Sequence, residues 1–140
     1  MRALFLLLLS VTAGYAADVN AASCSNGDIT TAIGTAVNGD RVLVPTCSET
    51  TWTGNVTIPN TKGITLQGNG SSNTLIATGS FKLIIQTSSA NSPVRVTAMR
   101  IKKSSGTSWD IEITGTAQDW RIDNLILDNN NVSGGYQIRV

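Results

Sequence analysis

The sequence predicts an all-β chain wound as a parallel β-helix, a solenoid of short strands, and three observations carry that expectation. From Arg41 onward, apolar and polar residues alternate with the period of two that marks a strand with one buried face. Turn formers separate the runs: Pro59-Asn60, Gly68-Asn69-Gly70, Thr78-Gly79-Ser80, Ser104-Ser105-Gly106, Asp128-Asn129-Asn130-Asn131 and Gly134-Gly135. The runs also recur at long range. Val94-Arg95-Val96 returns as Trp120-Arg121-Ile122, Met99-Arg100-Ile101-Lys102 as Leu125-Ile126-Leu127-Asp128, and Ile111-Glu112-Ile113 as Ile138-Arg139-Val140. Each offset is about 26 or 27 residues, within the range of solenoid repeats, where every winding buries its apolar side chains on the windings above and below. An immunoglobulin-like sandwich also uses short alternating strands, but it leans on tight hairpins. Here Asn26-Gly27 precedes a helical segment and Asn38-Gly39 follows it, so the pattern favours the solenoid.

Taken in order, the chain opens on a separate object. Arg2 supplies a positive start, residues 4–9 an apolar core and Gly14-Tyr15-Ala16 a small-residue cleavage site, which reads as a secretory signal peptide over 1–16, cut before Ala17. The competing reading is an N-terminal core helix. A membrane span needs about 20 apolar residues, and Ser10, Thr12 and Gly14 interrupt this run, so no span is expected. Residues 17–140 form one domain, placed outside the cell or in a periplasm. Charged residues are 14% of the chain and the net charge is +1, which gives no bulk attraction to nucleic acid or anionic membrane. A charge-driven partner has to meet a local patch.

Cys24 and Cys47 are the two cysteines, and in an oxidising compartment a disulfide is the natural reading, against two free buried thiols. Closing that loop stabilises by about 3–3.5 kcal/mol in the chain-entropy view. Between them, Ile29, Ala32, Ile33, Ala36 and Val37 share one helical face, so the spacing predicts a helix over 28–37. Asn26 or Asp28 can cap its start and Asn38-Gly39 supplies a left-handed stop. Such a helix suits a lid over the open end of a strand stack, whose edges otherwise invite pairing.

After the helix come Asn38-Gly39-Asp40-Arg41-Val42-Leu43-Val44-Pro45, Val56-Thr57-Ile58 and Lys62-Gly63-Ile64-Thr65-Leu66-Gln67-Gly68-Asn69-Gly70. With Asp28-Ile29-Thr30-Thr31-Ala32-Ile33, these stretches resemble the N-terminal cap and first coils of secreted right-handed β-helix proteins of the pectin-lyase-like superfamily. The likeness covers about the first half of the mature chain and is specific for fold rather than function. It implies a scaffold shared by polysaccharide lyases, glycoside hydrolases, tailspikes and adhesins. Calcium enters as a cofactor only through this resemblance. In those enzymes the catalytic residues lie on middle coils. Because Tyr136-Gln137-Ile138-Arg139-Val140 reads as strand with no polar cap, the sequence is expected to be the N-terminal part of a longer protein.

Candidate chemistry is sparse. The absence of histidine removes Ser-His-Asp triads, Cys-His dyads and histidine metal sites, and two cysteines make a poor zinc site, so no metal centre is expected. Gly68-Asn69-Gly70 lacks the lysine and helix of a phosphate loop and reads as a coil turn. Asp110 with Glu112, and Asp119 with Asp123 and Asp128, offer a carboxylate pair or a calcium site. Ion pairing between coils, Glu112 to Arg139 and Lys102 to Asp128, is the plainer account. Arg95 and Arg121 share one offset and fall one above the other on the outer face, with Arg100 close by. A row of guanidiniums can receive the carboxylates of an acidic polysaccharide, each in bidentate fashion; the plainer alternative is a solvated face neutralised by Asp123. Trp120 alternates inward, whereas Trp52 and Trp109 lie beside turns, where burial and sugar stacking are both open. Asn55, Asn69 and Asn131 head glycosylation sequons. Two functions remain: a carbohydrate-active lyase or hydrolase whose catalytic residues lie outside this stretch, and a non-enzymatic surface or adhesin-type β-helix.

Overall fold

The structure, a computed structural model, describes residues 16–91, 93–106, 109–130 and 136–140. Residues 1–15 of the expected leader, the turn at Gly134-Gly135 and the sequon at Asn131 lie outside the described residues. In chain order the elements are β1 (Asp18–Asn20), α1 (Asn26–Thr35), β2 (Arg41–Leu43), β3 (Cys47–Thr51), β4 (Val56–Ile58), β5 (Thr65–Gln67), β6 (Thr74–Ala77), β7 (Leu83–Thr87), β8 (Val94–Thr97), β9 (Arg100–Lys102), β10 (Trp109–Gly115), β11 (Trp120–Asp123), β12 (Ile126–Asp128) and β13 (Tyr136–Arg139).

All pairings between these strands are parallel. Sheet A runs β1-β2-β5-β8-β11, sheet B runs β3-β6-β9-β12 and sheet C runs β4-β7-β10-β13. Each winding places one strand on each sheet in turn, and the windings stack as a right-handed parallel β-helix. Alternation then decides the interior. Val42, Leu66, Val96 and Ile122 form one inward column on sheet A. Thr50, Ile76, Ile101 and Leu127 form another on sheet B, and Val56, Leu83, Ile111 and Ile138 a third on sheet C. Most of these aliphatic side chains are fully buried in one continuous core. Val140 lies past β13 and is exposed, so it does not take the inward position its alternation predicts.

The corner between sheets A and B requires unusual backbone. Ala98 and Asn124, equivalent residues in successive windings, both adopt positive φ, +60° and +49°. Below Ala98 lies Gly68, and a Cβ added there would meet the Ala98 carbonyl oxygen at 2.4 Å. Gly68 is therefore glycine because the next winding passes too close for a side chain.

Helix α1 packs against β1, β2 and β4, over the first strands of sheets A and C, as a lid should. Its bounds correct the expectation of 28–37. The N-cap is Ser25, whose hydroxyl accepts the Asp28 N–H at 3.1 Å, in place of Asn26 or Asp28. The helix stops at Thr35, with Ala36 as C-cap, because the Lys62 ammonium donates to the carbonyls of Ile33, Gly34 and Ala36, each at 2.6 Å. A cation at this end also complements the helix dipole. Val37 leaves the helical face and is 64% exposed, while Gly39 keeps its expected positive φ. The Cys24–Cys47 disulfide forms, with Cα atoms 6.4 Å apart, and ties the segment before α1 to β3. Trp52 is core rather than a sugar platform, buried with its indole Nε1–H donating to the Cys24 carbonyl at 3.0 Å. Among the described residues, no helix is long and apolar enough to cross a membrane.

Candidate functional site

Outward positions on sheet A also stack in columns, because parallel pairing in register places equivalent side chains one strand spacing apart. One column runs Asp18, Arg41, Thr65, Arg95, Arg121; its neighbour runs Leu43, Gln67, Thr97, Asp123. At the base, Arg41 grips Asp18 in bidentate fashion, at 2.7 and 2.8 Å. Two windings up, Arg95 does the same to Asp123, Nε to Oδ1 at 3.1 Å and Nη2 to Oδ2 at 2.8 Å, and Arg121 Nε reaches Asp123 Oδ2 at 2.6 Å. Asp123 thus serves two guanidiniums, which relieves their mutual repulsion. The Arg95 hydrogen bonds hold its carboxyl below the usual aspartate range, with the Thr97 hydroxyl helping.

The structure brings Arg95 and Arg121 together and separates Arg100 from them. Arg100 sits on sheet B, past the Ala98 bend, where it contacts Asp128 and holds that carboxyl low. Lys102 pairs with Glu49 at 3.1 Å; Asp128, the partner the offset predicts, takes Arg100 on Oδ2 and the Asn130 N–H on Oδ1, and feels Lys102 through its charge alone. Glu112 does meet Arg139, at 3.6 Å, but its shorter contact is with Lys82, at 2.6 Å, which holds its carboxyl low. Arg139 also lies over the Trp109 ring, 5.9 Å from its centroid.

Asp110, offered by the sequence with Glu112 as a carboxylate pair or calcium site, lies away from solvent. It is buried, and so is Lys103; both side chains are 0% exposed. The Lys103 Nζ lies 3.8 Å from Asp110 Oδ1, longer than a hydrogen bond. The Thr78 hydroxyl donates to Asp110 Oδ1 at 2.6 Å. Burial pushes the Asp110 carboxyl up and the Lys103 amine down. Sequence reasoning passed over Lys103 because it stands in a Lys-Lys-Ser-Ser run that reads as surface. The available signal was Asp110 beside Ile111, where alternation breaks.

At the A–B corner, beside the Gln67 column, a cleft of about 300 Å³ opens between the first windings. Asn20, Leu43, Pro45, Thr46, Gln67 and Asn69 line it. Its amides and hydroxyl suit hydrogen bonding to a polar, uncharged group. Among the described residues no three His, Cys, Asp or Glu side chains group as a metal site. No protein-family model, no curated protein and no solved structure matches this chain.

Proposed function

We propose that this chain is a secreted β-helix that binds an acidic polysaccharide across the outer face of sheet A. Arg121 receives a ligand carboxylate, Arg95 holds Asp123 in place beneath it, and the cleft beside Gln67 and Asn69 receives sugar hydroxyls. One observation carries the reading: two stacked guanidiniums share the single Asp123 carboxylate, which leaves one positive charge uncompensated on a flat face. The Arg121 side chain is 69% exposed, and Asp123 engages it through Nε. A planar guanidinium there can meet a uronate carboxylate at two points. The likeness of the first coils to the pectin-lyase-like superfamily supports a polysaccharide as the ligand class.

Secretion draws support from the leader-like residues 1–16, from the disulfide and from Asp40. The buried Asp40 carboxylate accepts the Val37 and Ala17 backbone N–H groups at 2.8 and 2.9 Å. Cleavage before Ala17 turns that second donor into an α-ammonium already seated on a carboxylate.

Within this stretch the outer face is assigned to binding, because Glu112, Asp123 and Asp128 are each engaged by Arg or Lys and held ionised, which makes them poor general acids. A second reading, a non-enzymatic surface or adhesin-type β-helix in its structural role, has its own observation. The bidentate Arg95–Asp123 contact joins β8 to β11 and can act purely as a clamp between windings. Incubation with polygalacturonate or alginate separates the three. Retention that weakens with salt and releases neither reducing ends nor unsaturated uronates supports binding. Turnover of either product supports the enzyme, and no retention supports the clamp.

A further inference from the structure

We propose that Lys103 and Asp110 form an intramolecular isopeptide bond inside the β-helix. The two side chains enter the core from opposite ends of one connection, Lys103 just after β9 and Asp110 within β10, and neither is exposed. Their separation of 3.8 Å is too long for a good hydrogen bond. Nζ of Lys103 and Oδ2 of Asp110 have no hydrogen-bond partner among the described residues. A buried ion pair is stable only when its remaining donors and acceptors are satisfied, which these are not. The ammonium brings three donors and the carboxylate two acceptor oxygens, whereas an amide brings one donor and one acceptor. Thr78 already supplies the partner for that acceptor.

The chemistry balances without any co-reactant. The neutral Nζ attacks Cγ of the protonated carboxyl, and the new N–C bond replaces the Cγ–Oδ2 bond. Oδ1, polarised by the Thr78 hydroxyl, becomes the amide oxygen. Oδ2 takes a proton from Nζ and leaves as water. Desolvation favours both reactive protonation states, and Lys82 nearby further disfavours a charged Lys103. Holding the groups together replaces an intermolecular encounter, and the reaction requires Nζ and Cγ to close to the near-attack distance of about 3–3.5 Å. A dry interior then protects the product from hydrolysis.

Trypsin digestion followed by mass spectrometry of the purified full chain tests this. The expected product is a peptide starting at Lys103 and ending at Arg121, lighter by one water, with no backbone fragments released between Lys103 and Asp110. Lys103→Arg and Asp110→Ala variants should each show the full mass expected from their sequence. Cleavage after Lys103 with a full-mass peptide overturns the proposal. So does a water-loss peptide that fragments normally between the two residues, which marks a succinimide at Asp110 instead.

Discussion

Ile101 lies directly beside Leu127 on the neighbouring strand of sheet B, with Ile76 on its other side. That contact joins three windings through one inward column, and Ile101 is fully buried. Truncation there removes contacts from both neighbours at once. Ile101→Ala should lower unfolding free energy by about 2–5 kcal/mol, read from denaturant midpoints. Ile126→Ala, one residue from Leu127 but half exposed on the outer face, should change it far less.

The disulfide pins the lid to the first winding of sheet B. Reduction, or a Cys24→Ser and Cys47→Ser double variant, should cost about 3 kcal/mol and loosen α1 before the later windings. Hydrogen exchange should show faster exchange at Ile29 and Ile33 than at Ile85.

Gly68→Ala tests the close passage of adjacent windings. Its Cβ cannot coexist with the Ala98 carbonyl at 2.4 Å, so sheet A has to shift. A loss of about 1–3 kcal/mol is expected, the cost of an overpacked site. Gly34→Ala is the control: it lies in the last turn of α1, where an added Cβ meets nothing, so its stability should be kept or improved.

Acid should destabilise the fold in a defined window. Backbone N–H groups of Val37 and Ala17 hold Asp40 low, Lys82 does so for Glu112, Arg95 for Asp123 and Arg100 for Asp128. A carboxyl whose folded value is depressed contributes stability that is complete above its ordinary value, 3.8 for aspartate, and lost as pH falls through the folded value. Stability from these groups should therefore be level above about pH 5 and decline below about pH 4. Asp40→Asn should destabilise at neutral pH and flatten the acid decline, measured by thermal unfolding against pH.

The interior was legible from sequence because inward alternation obeys one rule on all three sheets. Winding length was legible only late in the chain. Arg41 pairs with Thr65 about 24 residues on, and Thr65 with Arg95 about 30 on, so variable corner loops hid the repeat from a periodicity reading. Strand β3, Cys47-Ser48-Glu49-Thr50-Thr51, has almost no apolar signal and an irregular register, and it forms because β6 offers a partner. The Arg95–Arg121 stack followed from their shared offset. The corner that moves Arg100 to another sheet did not, since it depends on a left-handed turn at an alanine.

Titration of polygalacturonate against the native chain and an Arg95→Ala, Arg121→Ala double variant tests the proposed function most directly. Loss of the exposed Arg121 guanidinium together with the Arg95 contact that positions Asp123 should weaken binding by about tenfold or more, with a shallower dependence on salt. Equal affinity and equal salt dependence for both proteins would contradict it.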